Sequence, residues 1–226
     1  QNLVDLVFHR CNIPMYRSGT EDILRSTVIS TVLAALEAAL EGFEQKPVMR
    51  YLRSVLSPLD GDTCDKLENY AVTWGIRGKR WQEPWDKHPD GMNGFWTEAT
   101  DALLRELNEA RALTLEPLFH LSDSFRQGRN LREQVQALHR FLEEICLSGR
   151  LKNLAAELDA QGDHRGAQIL NQLWEILLSA LEQMEGILGD TVWEPDTFVR
   201  LLTLLLSQYD VGTIPPVLDA VTVGPV

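Results

Sequence analysis

The chain has 226 residues, 44% apolar and 24% charged, with 33 acidic against 21 basic side chains. That length can bury a real hydrophobic core; the apolar fraction excludes intrinsic disorder, and only 15 Gly and 10 Pro exclude a collagen-like or linker-like chain. No apolar run reaches the roughly 18 residues that a bilayer span needs, and the formal charge of −12 argues against a free-standing DNA-binding domain.

Helical periodicity governs the chain from its start. Residues 2–11 read as a short helix, followed by an extended Ile13-Pro14-Met15-Tyr16. Thr20 is placed to cap a helix with an acidic first turn (Glu21, Asp22) that continues to about Leu40, before Gly42. Pro47 suits a first helical turn, and Val48 to Leu56 reads as a short helix stopped by Ser57-Pro58. Asp62 or Thr63 caps the next, from Cys64 to Trp74, with Gly75 as its stop.

Residues 75–94 break the pattern with a Gly-, Pro- and Trp-rich stretch, and a loop of about 20 residues inside a compact domain is functional or mobile. Helices are expected to resume at 95–113, 116–127, 130–148 and 151–161. The clearest helix runs from Arg165 to Leu188, with Leu170, Leu173, Leu177, Leu181, Met184 and Leu188 at three- and four-residue spacing. Pro195 opens a last helix, Asp196 to Gln208, and Tyr209 to Pro216 leads into a terminal strand at Ala220 to Gly224. The fold class is therefore mainly α: a multi-helix domain with short strand stubs near both termini. A lone terminal strand needs a partner, so the chain is expected to be a piece of a longer protein.

Charge is unevenly spread. Residues 98–226 carry ten basic and twenty acidic side chains and so hold ten of the twelve net negative charges. Most lie on the outer faces of amphipathic helices, where solvation accounts for them; the alternative is a docking surface for a basic partner. Cys11, Cys64 and Cys146 lie far apart and are odd in number, which reads as three reduced thiols used in packing rather than as a disulfide framework or a zinc site.

Catalytic patterns are absent. Gly78-Lys79 is followed by Arg80, and Thr73 stands where a phosphate-binding loop needs its first Gly. His9, His88, His120, His139 and His164 never come within four residues of one another, and no G-x-S-x-G turn occurs. Glu143 and Glu144 are adjacent on a helix and point about 100° apart, so they do not converge as acid and base. The chain itself is expected to be no enzyme, with no metal ligands and no cofactor of its own.

The strongest local feature is the loop at 75–96. Arg77, Lys79, Arg80 and Lys87 are interleaved there with Trp74, Trp81, Trp85 and Trp96, four of the six tryptophans of the chain. Cations beside flat rings suit single-stranded nucleic acid, because bases stack on the rings while the cations meet phosphates. The competing reading is that the tryptophans anchor an irregular loop on the helices, and Glu83, Asp86 and Asp90 dilute the charge. The candidate contact residues, for nucleic acid or a partner subunit, are Arg77, Lys79, Arg80, Trp81 and Trp85. A second basic trio, Arg126, Arg129 and Arg132, flanks Gly128 between two helices.

Three segments carry a resemblance: Arg50-Tyr-Leu-Arg-Ser-Val-Leu-Ser-Pro-Leu59, Leu67-Glu-Asn-Tyr-Ala-Val-Thr-Trp-Gly-Ile-Arg-Gly-Lys-Arg-Trp81, and Tyr209-Asp-Val-Gly-Thr-Ile-Pro-Pro-Val-Leu-Asp-Ala-Val-Thr-Val-Gly224. In this order they resemble the B subunit of AddAB-type helicase–nucleases, bacterial machines that resect double-strand DNA breaks. That family is built on a UvrD-like helicase fused to a nuclease, in which a RecA-like motor domain is interrupted by a helical insertion, subdomain 2B. The resemblance implies three parts: residues 1–46 as an end stub of RecA-like domain 2A, 47–208 as the 2B-like insertion, and 209–226 as the return toward helicase motif V.

Active motors of that superfamily carry Thr-x-His-x-x-Lys-Gly in motif V, whereas here Thr222-Val223 runs into Gly224-Pro225. This fits the family expectation that the B subunit is not a working motor. The resemblance further implies a cytoplasmic protein with no membrane association, partnered by the A subunit and by DNA. ATP with magnesium and an iron–sulfur cluster belong to the parent, outside this segment. The implied role is a non-catalytic segment that guides single-stranded DNA or braces the partner subunit during resection and recombinational repair. The alternative is a helical protein-interaction module that uses its acidic surface and is unrelated to DNA.

Overall fold

The computed structural model describes residues 15–17, 20–92, 94–128, 130–212 and 221–223. At its centre lies α1 (Thr27–Leu40), nine of whose fourteen residues are buried. Its alanines at 34, 35, 38 and 39 have almost no exposed surface, and small side chains let neighbouring backbones approach closely from several sides. A helix apolar on so much of its circumference belongs inside a bundle. It packs on α2 (Gln45–Leu52), on α4 (Glu98–Gln127) and on α8 (Pro195–Leu206).

The other helices follow as hairpins. α3 (Gly61–Trp74) lies against α4, and α4 turns back into α5 (Leu131–Glu144). α6 (Leu147–Ala160) and α7 (His164–Leu188) form the most extensive pair, with α7 also touching α5 and α8. One continuous core joins them, and aromatic pairs sit between layers: Phe43 with Phe119 at 5.0 Å, Tyr51 with Phe141 at 6.3 Å and Phe125 edge-on to Phe198 at 5.1 Å. None of the described helices is long and apolar enough to cross a membrane.

Four short strands bring the two ends of the chain together. β1 (Met15–Arg17) pairs in parallel with β4 (Val221–Val223), Met15 opposite Val221. β2 (Thr20–Asp22) pairs antiparallel with β3 (Asp210–Gly212), Thr20 opposite Gly212. The mainly α class and the strand stubs expected from the sequence are thus both present, and the helical body leaves and returns at one place.

Several boundaries differ from the sequence expectation. After β2 comes a short 3₁₀ turn (Ile23–Arg25), so α1 begins at Thr27 rather than beside Thr20. The expected break between 113 and 116 does not occur; α4 runs unbroken for 30 residues with Pro117 inside it. Proline removes the hydrogen bond to the carbonyl four residues earlier. That residue, Leu113, lies on the exposed side of the helix.

Conversely, the expected helix 130–148 stops at Glu144, because Cys146 adopts the left-handed conformation (φ 53°) and its N–H bonds back to the carbonyl of Glu143. Residues 149 and 150, expected between two helices, lie within α6. Asp60 rather than Asp62 or Thr63 caps α3, accepting from the Thr63 N–H at 2.8 Å. The helix expected at 2–11 lies outside the described residues.

Candidate nucleic-acid interface

The loop between α3 and α4 is built on the C-terminal end of α3. Gly75 ends that helix in the left-handed conformation (φ 57°), where a side chain would be strained. The Arg80 guanidinium folds back and donates from Nη1 to the carbonyls of Trp74 (2.8 Å) and Gly75 (3.2 Å), placing a cation at the negative end of the helix. Between them, residues Gly78–Trp81 form one 3₁₀ turn, with the Gly78 N–H bonded to the Phe43 carbonyl at 3.0 Å.

This turn drives Trp81 inward. Its side chain is fully buried, and Trp85 follows with 5% exposure. Trp85 stacks face to face on Tyr70 at 4.5 Å with 9° between planes, and Trp81 tilts against Trp85 at 5.8 Å. From α4, Asn108 clamps the Trp85 backbone like a strand partner: Oδ1 accepts from its N–H (2.8 Å) and Nδ2 donates to its carbonyl (2.9 Å). Arg111 donates from Nη1 to the Trp81 carbonyl at 2.6 Å, with its guanidinium carbon 6.0 Å from the Trp85 ring centre. No carboxylate pairs with it among the described residues, and burial pulls its pKa below the usual guanidinium value.

The second half of the loop is held as tightly. The Tyr70 hydroxyl accepts from the Lys87 N–H at 3.0 Å and donates to the Lys87 carbonyl at 3.1 Å. Burial pushes the Tyr70 phenol up, partly offset by that backbone hydrogen bond. Trp74 Nε1 donates to the His88 carbonyl at 3.0 Å, and Lys87 Nζ lies 4.6 Å over the Trp74 ring. His88 is buried; its Nδ1 accepts from the Asp90 N–H (3.0 Å), which leaves Nε2 as the donor to the Phe95 carbonyl at 3.1 Å. Gly94 passes so close that a Cβ there would sit 2.0 Å from His88 Nδ1.

The five sequence candidates therefore separate. Arg77, Lys79 and Arg80 are exposed, and none of them pairs with a carboxylate among the described residues. Trp81 and Trp85 are interior anchors with no ring face left for a base. The exposed rings are instead Phe95 (88%) and Trp96 (53%), with Met92 beside them in sequence. Trp96 meets the His88 ring edge-on at 5.0 Å. Sequence reasoning passed over Phe95, His88, Asn108 and Arg111: no spacing rule links the last two to a loop more than twenty residues away.

Other sequence features resolve as structure. Arg132 bridges Glu185 (2.7 Å) and Asp190 (3.3 Å), Arg126 lies 3.9 Å from Asp123, and Arg129 is outside the described residues. Cys64 is buried, its thiol donating to the Leu52 carbonyl at 3.2 Å, and burial raises its pKa. Cys146 is exposed at the α5–α6 junction and is not the packing residue expected; Cys11 is outside the described residues. Among the described residues no group of three or more His, Cys, Asp or Glu is placed to hold a metal ion.

No protein-family model matches the chain. Over 99% of its length it is 29% identical to the B subunit of the ATP-dependent helicase/deoxyribonuclease of Clostridium botulinum (strain Langeland) and to that of Clostridioides difficile (strain 630). The protein of the same name from Caldanaerobacter subterraneus subsp. tengcongensis is 28% identical over 98% of the chain. The chain spans about a fifth of the length of these relatives (19–20%), and so matches a fragment of that protein.

Proposed function

We propose, from the match to a fragment of the helicase/deoxyribonuclease B subunit, that the chain is a non-catalytic helical segment of such a protein, acting in bacterial DNA-break resection and repair. The observation that carries this reading is the similarity along 99% of the chain. In the proposed parent the segment spans the 2B-like insertion at 47–208, between a RecA-like stub at 1–46 and the return segment at 209–226. Pairing of β1 with β4 and of β2 with β3 supports an insertion, since an inserted body must leave and rejoin its host at neighbouring points. The packing of α1 into the same core as α2, α4 and α8 gives that body a rigid base.

In this reading the segment works by holding surfaces in place. ATP, magnesium and the iron–sulfur cluster act elsewhere in the parent, which is a cytoplasmic protein partnered by the A subunit. The exposed cations Arg77, Lys79 and Arg80 face DNA or that partner, while Trp81 and Trp85 fix the loop. Hydrogen–deuterium exchange on the intact parent protein tests this. Protection of residues 74–97 on adding single-strand-tailed DNA supports strand guiding, and protection only on adding the A subunit supports bracing. No protection in either case overturns both roles.

A further inference from the structure

The loop tip spends an unusual amount of internal bonding on showing two rings to solvent. Tyr70, Trp74 and His88 tie down the backbone at Lys87, His88, Asp90 and Phe95 with hydrogen bonds of 3.0–3.1 Å. Gly94 lies flat on the His88 ring, where no side chain fits. All this order leaves Phe95 88% and Trp96 53% exposed, with Met92 at 89%. Trp96 keeps one edge contact with His88, but the exposed faces of both rings bury nothing within the described residues, and a ligand that stacks on them meets surfaces already ordered.

The surroundings indicate which ligand. Contacts run without a gap from Arg80, bonded to the Trp74 carbonyl, through Trp74 beneath Lys87, to His88 and on to Trp96. Arg77, Lys79, Arg80 and Lys87 are exposed, and none pairs with a carboxylate among the described residues, although Arg50, Arg53, Lys66 and Arg132 all do. The loop thus carries four cations against Glu83, Asp86 and Asp90 in a chain of net charge −12. A positive strip beside stacking rings suits unpaired bases joined by phosphates, and suits a duplex poorly because its bases are already stacked.

We infer that Phe95 and Trp96, with Lys87 and Arg80, form a subsite for single-stranded nucleic acid in which bases stack on the two rings and the phosphates pass the cations. The inference rests on the reading of the chain as a DNA-handling segment, and it moves the stacking surface from Trp81 and Trp85 to the loop tip.

Fluorescence anisotropy of labelled oligothymidylate with the chain tests it, with a duplex of equal length for comparison. The wild type binds the single strand with a log–log salt slope of roughly −3, as expected for four phosphates neutralised. Phe95→Ala, which disturbs no packed atom, weakens binding by roughly fivefold or more, and Lys87→Gln makes the slope shallower by about 0.7. Asp86→Asn and Asp90→Asn tighten it. Equal affinity for duplex, indifference to Phe95→Ala and Trp96→Ala, or no binding at low salt overturns the subsite. Protection of residues 74–97 in the intact parent protein on adding tailed DNA or the A subunit would then leave the broader reading standing; no protection there in either case would remove both.

Discussion

Trp81 separates an anchoring loop from a base-binding one. It is fully buried, touches Trp85 and is held at its carbonyl by Arg111. Truncation to Ala removes on the order of 200 Å² of buried apolar surface, about 5 kcal/mol at 25 cal/mol per Å². The indole Nε1 is buried without a hydrogen-bond partner, so removing it returns about 1–3 kcal/mol. The net loss is about 3 kcal/mol, within the range for emptying an aromatic core site. With a urea dependence of about 2–3 kcal/mol per molar, the unfolding midpoint drops by about 1–1.5 M. Trp81→Phe keeps most of the packing and discards the orphan N–H, so it stays within about 1 kcal/mol of wild type and retains single-strand binding. Urea titration followed by circular dichroism, with anisotropy on the folded variants, reads both. A Trp81→Ala variant that keeps the wild-type midpoint yet loses DNA binding would refute this, for then the ring faces ligand and not core.

Three further predictions rest on other parts of the molecule. Gly94→Ala drives a methyl into the buried, doubly bonded His88 ring, costing about 1–3 kcal/mol; hydrogen exchange should rise in residues 88–96 and stay unchanged in α5 to α7. Burial pushes the Tyr51 phenol up to about 12, only partly countered by Arg150. The unfolded chain therefore ionises first, so stability is complete below pH 10 and falls by about 1.4 kcal/mol per pH decade between 10 and 12; urea midpoints across that range should flatten in Tyr51→Phe relative to wild type. In a Cys11→Ser background, a thiol-reactive dye should label Cys146 at once and Cys64 only on unfolding, and prompt labelling of both would contradict the burial of Cys64.

What the sequence made legible was periodic. The α7 stripe from Leu170 to Leu188 and the Gly75 stop were readable because each depends on a few neighbouring residues. Boundaries failed where distant packing overruled local signals. Pro117 sits inside α4 because the flanking turns are buried on both sides of it, and Cys146 breaks a helix although Gly149 is the better breaker on propensity.

The candidate loop was legible in extent but not in facing. Composition set 75–96 apart as an irregular, Trp-rich stretch, yet inward and outward rings look alike in a segment with no period. The partition was decided by Asn108 and Arg111, which draw Trp85 and Trp81 onto α4, and by Tyr70 and His88, which hold the tip outward. Contacts spanning from seven residues (His88 to Phe95) to thirty (Arg111 to Trp81) distinguish the outward from the inward rings.

The most direct measurement is photocrosslinking of single-stranded DNA bearing iododeoxyuridine to the intact parent protein in its complex with the A subunit, with adducts mapped by mass spectrometry. The account predicts adducts on Phe95 or Trp96 that disappear in Phe95→Ala/Trp96→Ala while the complex remains assembled. Adducts on Trp81 or Trp85, or none between residues 74 and 97 when other parts of the protein are labelled, would contradict it.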